Sequence, residues 1–175
     1  LLGNPLADPY VLGLSGGAAS AALLAILAGL GGVWIHSAAL LGALLSMAVV
    51  FGLTRGGTAA PQALLLTGIV IATGWGALIS FMLTIAPQAD LRGMLFWLMG
   101  DLSHAPRADY ALLLLLAGVA VALRWAPGLN LLARGDLEAA ALGVATRTLR
   151  LQLYLLASLL TATAVTLGGA IGFIG

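Results

Sequence analysis

The side chains able to do chemistry in this sequence are few and unevenly placed. The two histidines, His36 and His104, stand alone and make no metal site. Cysteine is absent, so disulfides, thiolate nucleophiles and Cys-ligated metals are excluded within these residues. All seven basic residues are Arg, and a phosphate loop of the GxxxxGK type needs a Lys that the sequence does not have. No catalytic group, cofactor site or metal site is read from it, and any ATP hydrolysis that serves it belongs to another chain. What remains is charge and hydroxyl. The stretch ARGDLEAAALGVATRTLR at 133–150 holds Arg134, Asp136, Glu138, Arg147 and Arg150, five of the thirteen charged residues. Thr67, Thr73, Ser80 and Thr84 place hydroxyls along one otherwise apolar run.

The elements that must position these groups follow from composition. The chain is 62% hydrophobic and 7% charged, against about 25% charged residues in an average globular chain. Such a chain belongs in a lipid bilayer. Its net charge of +1 leaves no basic surface able to neutralise several phosphates, which argues against nucleic-acid binding.

A spanning helix takes about 20 apolar residues. Five runs qualify, at roughly 11–30, 33–53, 61–86, 109–126 and 149–168. The reading is an all-α, polytopic transmembrane bundle with short helices between spans. Short cytoplasmic loops carry the excess of basic residues. One side holds Arg55, Arg124, Arg134, Arg147 and Arg150, the other Arg92 and Arg107, so the charged insert is expected in the cytoplasm.

Four of the runs carry small residues at a spacing of four: Gly13, Gly17, Ala21, Ala25 and Gly29; Ala38, Gly42 and Ser46; Gly68, Ala72, Gly76 and Ser80; Ser158, Ala162, Thr166 and Ala170. Apolar burial gains nothing over lipid tails, so helices in a membrane associate through close packing, which small residues permit. Packing alone accounts for such stripes. On the third run the added hydroxyls also suit a mildly polar pathway wall, formed by Thr67, Gly68, Thr73, Gly76 and Ser80, although a hydroxyl can equally bond its own helix. The fourth run, with Leu112 to Leu116 in a row, is expected at the lipid-facing periphery. None of the runs has an ionisable group at its middle, whereas ion-coupled carriers usually need one.

Two short helices are expected between spans. Asp90 can cap one in which Leu91, Met94, Leu95 and Leu98 share a face, ending at Gly100. It suits either an interfacial anchor with Trp97 at headgroup level or a lid offering Arg92, Asp101, Arg107 and Asp109 to an external partner. In the insert, Asp136 can cap a helix that Gly143 ends, with Thr146 a cap for the last span. Ala139, Ala140 and Ala141 give it little bulk, as a docking helix or simply as a helical loop.

Five stretches carry a resemblance: GNPLADPYVLGLSGGAA (3–19), LLLTGIVIA (64–72), DLRGMLFWLMGDL (90–102), LNLLARGDLEAAALGV (129–144) and GGAIGFIG (168–175). In order and spacing the sequence resembles the permease subunits of ATP-binding-cassette importers for iron chelates and cobalamin, the FecCD or BtuC-like group. The resemblance implies a single permease domain over 1–175, an internal part holding the third to seventh of about ten spans. It implies a homodimer in the bacterial inner membrane, two cytoplasmic ATP-binding subunits and an extracytoplasmic substrate-binding protein. The cargo would be an iron-siderophore, haem or cobalamin, moved by alternating access. The ATPase-coupling residues would be Gly135, Asp136, Leu137, Glu138, Ala140, Ala141 and Gly143. The pathway would be lined by the third run at Thr67, Gly68, Thr73, Gly76 and Ser80, with the binding protein docking near Arg92, Asp101 and Arg107. Composition alone would also allow a non-transporting membrane scaffold or a passive channel.

Overall fold

The structure, a computed structural model, describes residues 13–54, 61–100 and 108–168. Among these residues it has seven helices and no strand: α1 (Leu14–Leu27), α2 (Val33–Leu53), α3 (Pro61–Ile85), α4 (Gln88–Met99), α5 (Ala108–Leu132), α6 (Asp136–Ala141) and α7 (Thr146–Gly168). Four segments are long and apolar enough to cross a membrane: Val33–Leu53, Ala63–Ile85, Leu112–Leu132 and Thr146–Thr166. The expected first span is shorter than its apolar run. Gly13 has φ 73° and the helix starts only at Leu14, giving 14 residues, about 21 Å at 1.5 Å per residue. Val11 and Leu12 of that expectation lie outside the described residues.

The C-terminus of α1 shows how local sequence closes a helix. Gly29 adopts φ 71°, its N–H donates to the Ile26 carbonyl at 2.9 Å, and the Leu30 N–H donates to the Ala25 carbonyl at 2.9 Å. These two bonds form a Schellman motif, which satisfies carbonyls that the helix end would otherwise leave unpaired.

Backbone contact joins α1 to α2. A Cβ at Gly17 would lie 2.5 Å from the Gly42 carbonyl oxygen and 2.6 Å from Ser46 Cβ. One at Gly42 would strike the Gly17 carbonyl and lie 2.5 Å from Ala21 Cβ. With Ala18, Ala22, Ala39 and Ala43 also buried, the two small stripes meet face to face.

The other helices pack around this pair. Leu64 of α3 and Tyr154, Ala162 and Val165 of α7 join the same core. Phe51 and Tyr154 stack at a tilt, with ring centroids 6.0 Å apart. Near the opposite end of α2, the His36 Nδ1–H donates to the Thr166 carbonyl at 2.8 Å, tying α2 to the last turn of α7. That carbonyl is among the last of its helix, where intrahelical donors run out.

In α5 the helix passes through Pro127 and continues to Leu132, where the sequence reading ends the span at 126. Proline removes a backbone donor and crowds the preceding turn. Packing overrides that preference, because Leu132 is buried with Leu149 and Leu153, and Trp125, Leu129 and Leu131 lie against them. α5 meets α7 through glycines: a Cβ at Gly118 would lie 3.0 Å from the Leu160 methyls, and one at Gly128 would lie 2.9 Å from Leu149. Elsewhere it exposes Leu112, Leu113, Leu115, Leu116 and Leu123.

Candidate functional site

The charged insert is built as a helix held from beneath. After α5, Gly135 turns the chain at φ 133° and ψ 153°, a conformation that L side chains rarely adopt. Gly135, and not Asp136, is therefore the N-cap, and Asp136 is the first helical residue. The end of α6 is a second Schellman motif. Gly143, at φ 83°, donates to the Ala140 carbonyl at 3.0 Å, and the Val144 N–H donates to the Ala139 carbonyl at 3.0 Å. α7 begins at Thr146, which is helical and not a preceding cap.

Six residues have little helical stability alone, and packing makes up the deficit. Ala139 is fully buried among Leu132, Leu149 and Leu153, with Val144 beside them. Ala139 faces inward, Leu137 on the opposite side of the helix is 88% exposed, and Leu142, the residue that follows the last turn, is 64% exposed. Glu138, Ala140, Ala141 and Gly143 are exposed as well. Arg134 and Arg147 of the same insert are exposed too. Leu142 is an exposed residue of the insert that sequence reasoning leaves out. A helix with apolar residues on nearly every side gives no periodic signal of which one faces inward.

The second group lies on α3. Leu64, Gly68 and Met82 are buried along one side of it, while Thr73, Gly76, Ser80 and Thr84 are exposed. Thr67 is half-buried, so of the five expected pathway residues Gly68 lies on the packed side, Thr67 at its edge, and Thr73, Gly76 and Ser80 on the exposed face. A Cβ at Gly74 or Gly76 would meet no atom within 4 Å. The hydroxyl of Thr73 donates to the Ile69 carbonyl at 2.9 Å, that of Ser80 to Gly76 at 2.9 Å, and that of Thr84 to Ser80 at 2.8 Å. With their protons used within the helix, these groups present acceptor oxygens and small apolar surface on the exposed face.

One polar side chain of α3 reaches across to its neighbours. The Trp75 Nε1–H donates to Ser46 Oγ at 2.9 Å, and the Ser46 hydroxyl donates to the Gly13 carbonyl at 2.9 Å.

α4 begins at Gln88 after Pro87, so Asp90 lies in its first turn and does not cap it; Gly100, at φ 74°, follows its end. Met94 is fully buried with Leu23 and Met82, and Trp97 and Leu98 pack against this cluster. Trp97 packs on the bundle. Leu95, expected to share a face with Met94, is exposed, as are Phe96 and Met99. With Gln88, Leu91 and Arg92 these three line an open groove of about 520 Å³. Arg92 is exposed, while Asp101 and Arg107 lie outside the described residues.

A bundle of apolar helices, a short charged helix seated at one end and an exposed, hydroxyl-bearing helix face together describe a multi-pass membrane segment. The chain belongs to the FecCD transport family, which it matches over residues 1–175. It is 40% identical to the cobalamin import system permease protein BtuC of Halobacterium salinarum, over 98% of this chain and 47% of that protein. It is 39% identical to the hemin transport system permease protein HmuU of Yersinia pestis, over 100% of this chain and 55% of that protein. A solved structure of a metal-chelate type ABC transporter in an inward-facing conformation superposes with a TM-score of 0.89 at 28% identity, covering 99% of this chain and 56% of that one. The chain spans about half the length of the curated relatives it matches. The fold is that of an ABC permease, and the chain is part of a multi-pass inner-membrane protein.

Proposed function

We propose that these residues form the third to seventh spans of a permease subunit that imports cobalamin, haem or an iron-siderophore, powered by a separate ATPase. In this reading two permease copies pair, two ATP-binding subunits dock on the cytoplasmic side, and a substrate-binding protein delivers cargo outside, near Arg92, Asp101 and Arg107. The observation that carries it is α6, seated on the ends of α5 and α7 by Ala139 while Leu137 and Leu142 face outward. Gly135, Asp136, Leu137, Glu138, Ala140, Ala141 and Gly143 form the ATPase-coupling element. A push on this helix reaches α5 and α7 directly, because Ala139 shares one apolar cluster with both.

Thr67, Gly68, Thr73, Gly76 and Ser80 belong to the translocation pathway in this reading. The exposed face at Thr73, Gly76 and Ser80 has no charge and few free donors, which suits a bulky cargo that must slide past without being held. Ala140→Cys tests the coupling assignment in an otherwise Cys-free full-length permease co-expressed with its ATPase. A crosslink to the ATPase is expected there and not from a Cys at exposed Phe96 on α4. Equal behaviour at the two positions would remove the coupling role.

A further inference from the structure

The relay from Trp75 through Ser46 to Gly13 ties the candidate pathway helix to the tightest part of the bundle. Gly13 is held at φ 73°, and its carbonyl accepts both the Gly17 N–H at 3.1 Å and the Ser46 hydroxyl at 2.9 Å. The same hydroxyl oxygen accepts the Trp75 indole N–H at 2.9 Å. Glycine makes the approach possible: a Cβ at Gly16 would lie 2.7 Å from Trp75 Cβ, and one at Gly13 would lie 3.2 Å from the Ala72 nitrogen.

We infer that Trp75 and Ser46 are positioning residues that aim the open face of α3, an inference that rests on reading this helix as the pathway wall. The rest of the α3 seam, at Leu64 and Met82, is apolar, and apolar packing between helices in lipid has little directional preference. A hydrogen bond does fix direction. At about 100° per residue, Thr73, Ser80 and Thr84 lie roughly 140–180° around the helix from Trp75, so anchoring the indole inward turns those hydroxyls outward. Ser46 lies about 20 Å from the start of α2 at 1.5 Å per residue. Ser46 is fully buried, and within the apolar bundle no water replaces a lost bond.

The test uses the full-length permease with its ATPase in a Cys-free background, with spin labels at Leu24→Cys on α1 and Phe81→Cys on α3. Trp75→Phe and Ser46→Ala should each broaden or shift the distance between the labels, and the double variant should go no further than one single variant. Maximal uptake per mole of purified permease, probed with cyanocobalamin and with haemin, should fall about three- to eighteenfold, the fold-change equivalent to the stability of a single interhelical hydrogen bond in a membrane, at unchanged KM. Ser46→Ala, which is nearly isosteric, covers the case in which Trp75→Phe fails to fold. Wild-type distances in the variants, or shifted distances with an unchanged maximal rate, overturn the inference. Failure of the wild type to take up either probe bears instead on the proposed function, while the distances still report whether the relay orients α3.

Discussion

Gly42 and Gly76 sit in stripes of the same pattern, yet their surroundings are opposite. Gly42 lies against the Gly17 carbonyl, where a Cβ has no room, whereas a Cβ at Gly76 would meet nothing within 4 Å. The α1–α2 seam is closed backbone to backbone; the corresponding stretch of α3 is open. Small residues at a spacing of four therefore mean two things in one molecule. On α1 and α2 they bring helices together, and on α3 Gly68 is buried while Gly76 and Ser80 leave an exposed surface free of bulk.

Substitutions at these glycines should separate the two meanings. The largest effect is expected from Gly42→Val, which drives side-chain atoms into the α1 backbone. It should cost more than about 3 kcal/mol, at or beyond the upper end for overpacked cores, and abolish recovery of folded full-length permease. A melting temperature equal to that of the wild type would show that the seam can open. Gly76→Leu should leave melting unchanged, because none of the described residues opposes the new side chain, and should reduce cyanocobalamin or haemin uptake at least about tenfold, the effect of roughly 1.4 kcal/mol on a rate. Normal uptake by this variant would show that the open face is not in the pathway.

Gly143 has open space around it but a left-handed backbone, so its role is conformational and not steric. Gly143→Ala should cost about 1–2 kcal/mol through that backbone alone and lower the yield of the Ala140→Cys crosslink, with Gly143→Asn milder. The smallest effect is expected at His36, whose bond to the Thr166 carbonyl joins two helices already packed together. His36→Ala should lower stability by about 0.6 kcal/mol, typical of one interhelical bond in a membrane, measured by thermal unfolding in detergent.

Much of the α6 region is legible in the sequence. Gly135 and Gly143 bracket a short helix former, and both adopt the backbone that only glycine takes easily. The identity of the cap was not legible, because Asp136 has the right chemistry for an N-cap but Gly135 has the turn. The inward residue was not legible either. In the sequence Ala139 is one of three equivalent alanines, and only its packing against Leu132, Leu149 and Leu153 distinguishes it, while Leu137 and Leu142 stay exposed. Likewise the hydroxyls of α3 were visible as a polar stripe, but nothing in their spacing revealed that Trp75 and Ser46 form the cross-helix bond.

The sequence by itself determined the solvent, the helical class and the polar insert. Mean charge and the length of apolar runs are properties of the chain, and a backbone in hydrocarbon must satisfy its own hydrogen bonds, which helices do. It also determined that the spans lack an ionisable group at their middle. Tertiary structure decided which small stripes close and which stay open, that α5 continues past Pro127, and which way each face of α6 turns. Those outcomes depend on atoms contributed by other helices, and in an apolar chain the residues that pack and the residues that face lipid are of the same kinds.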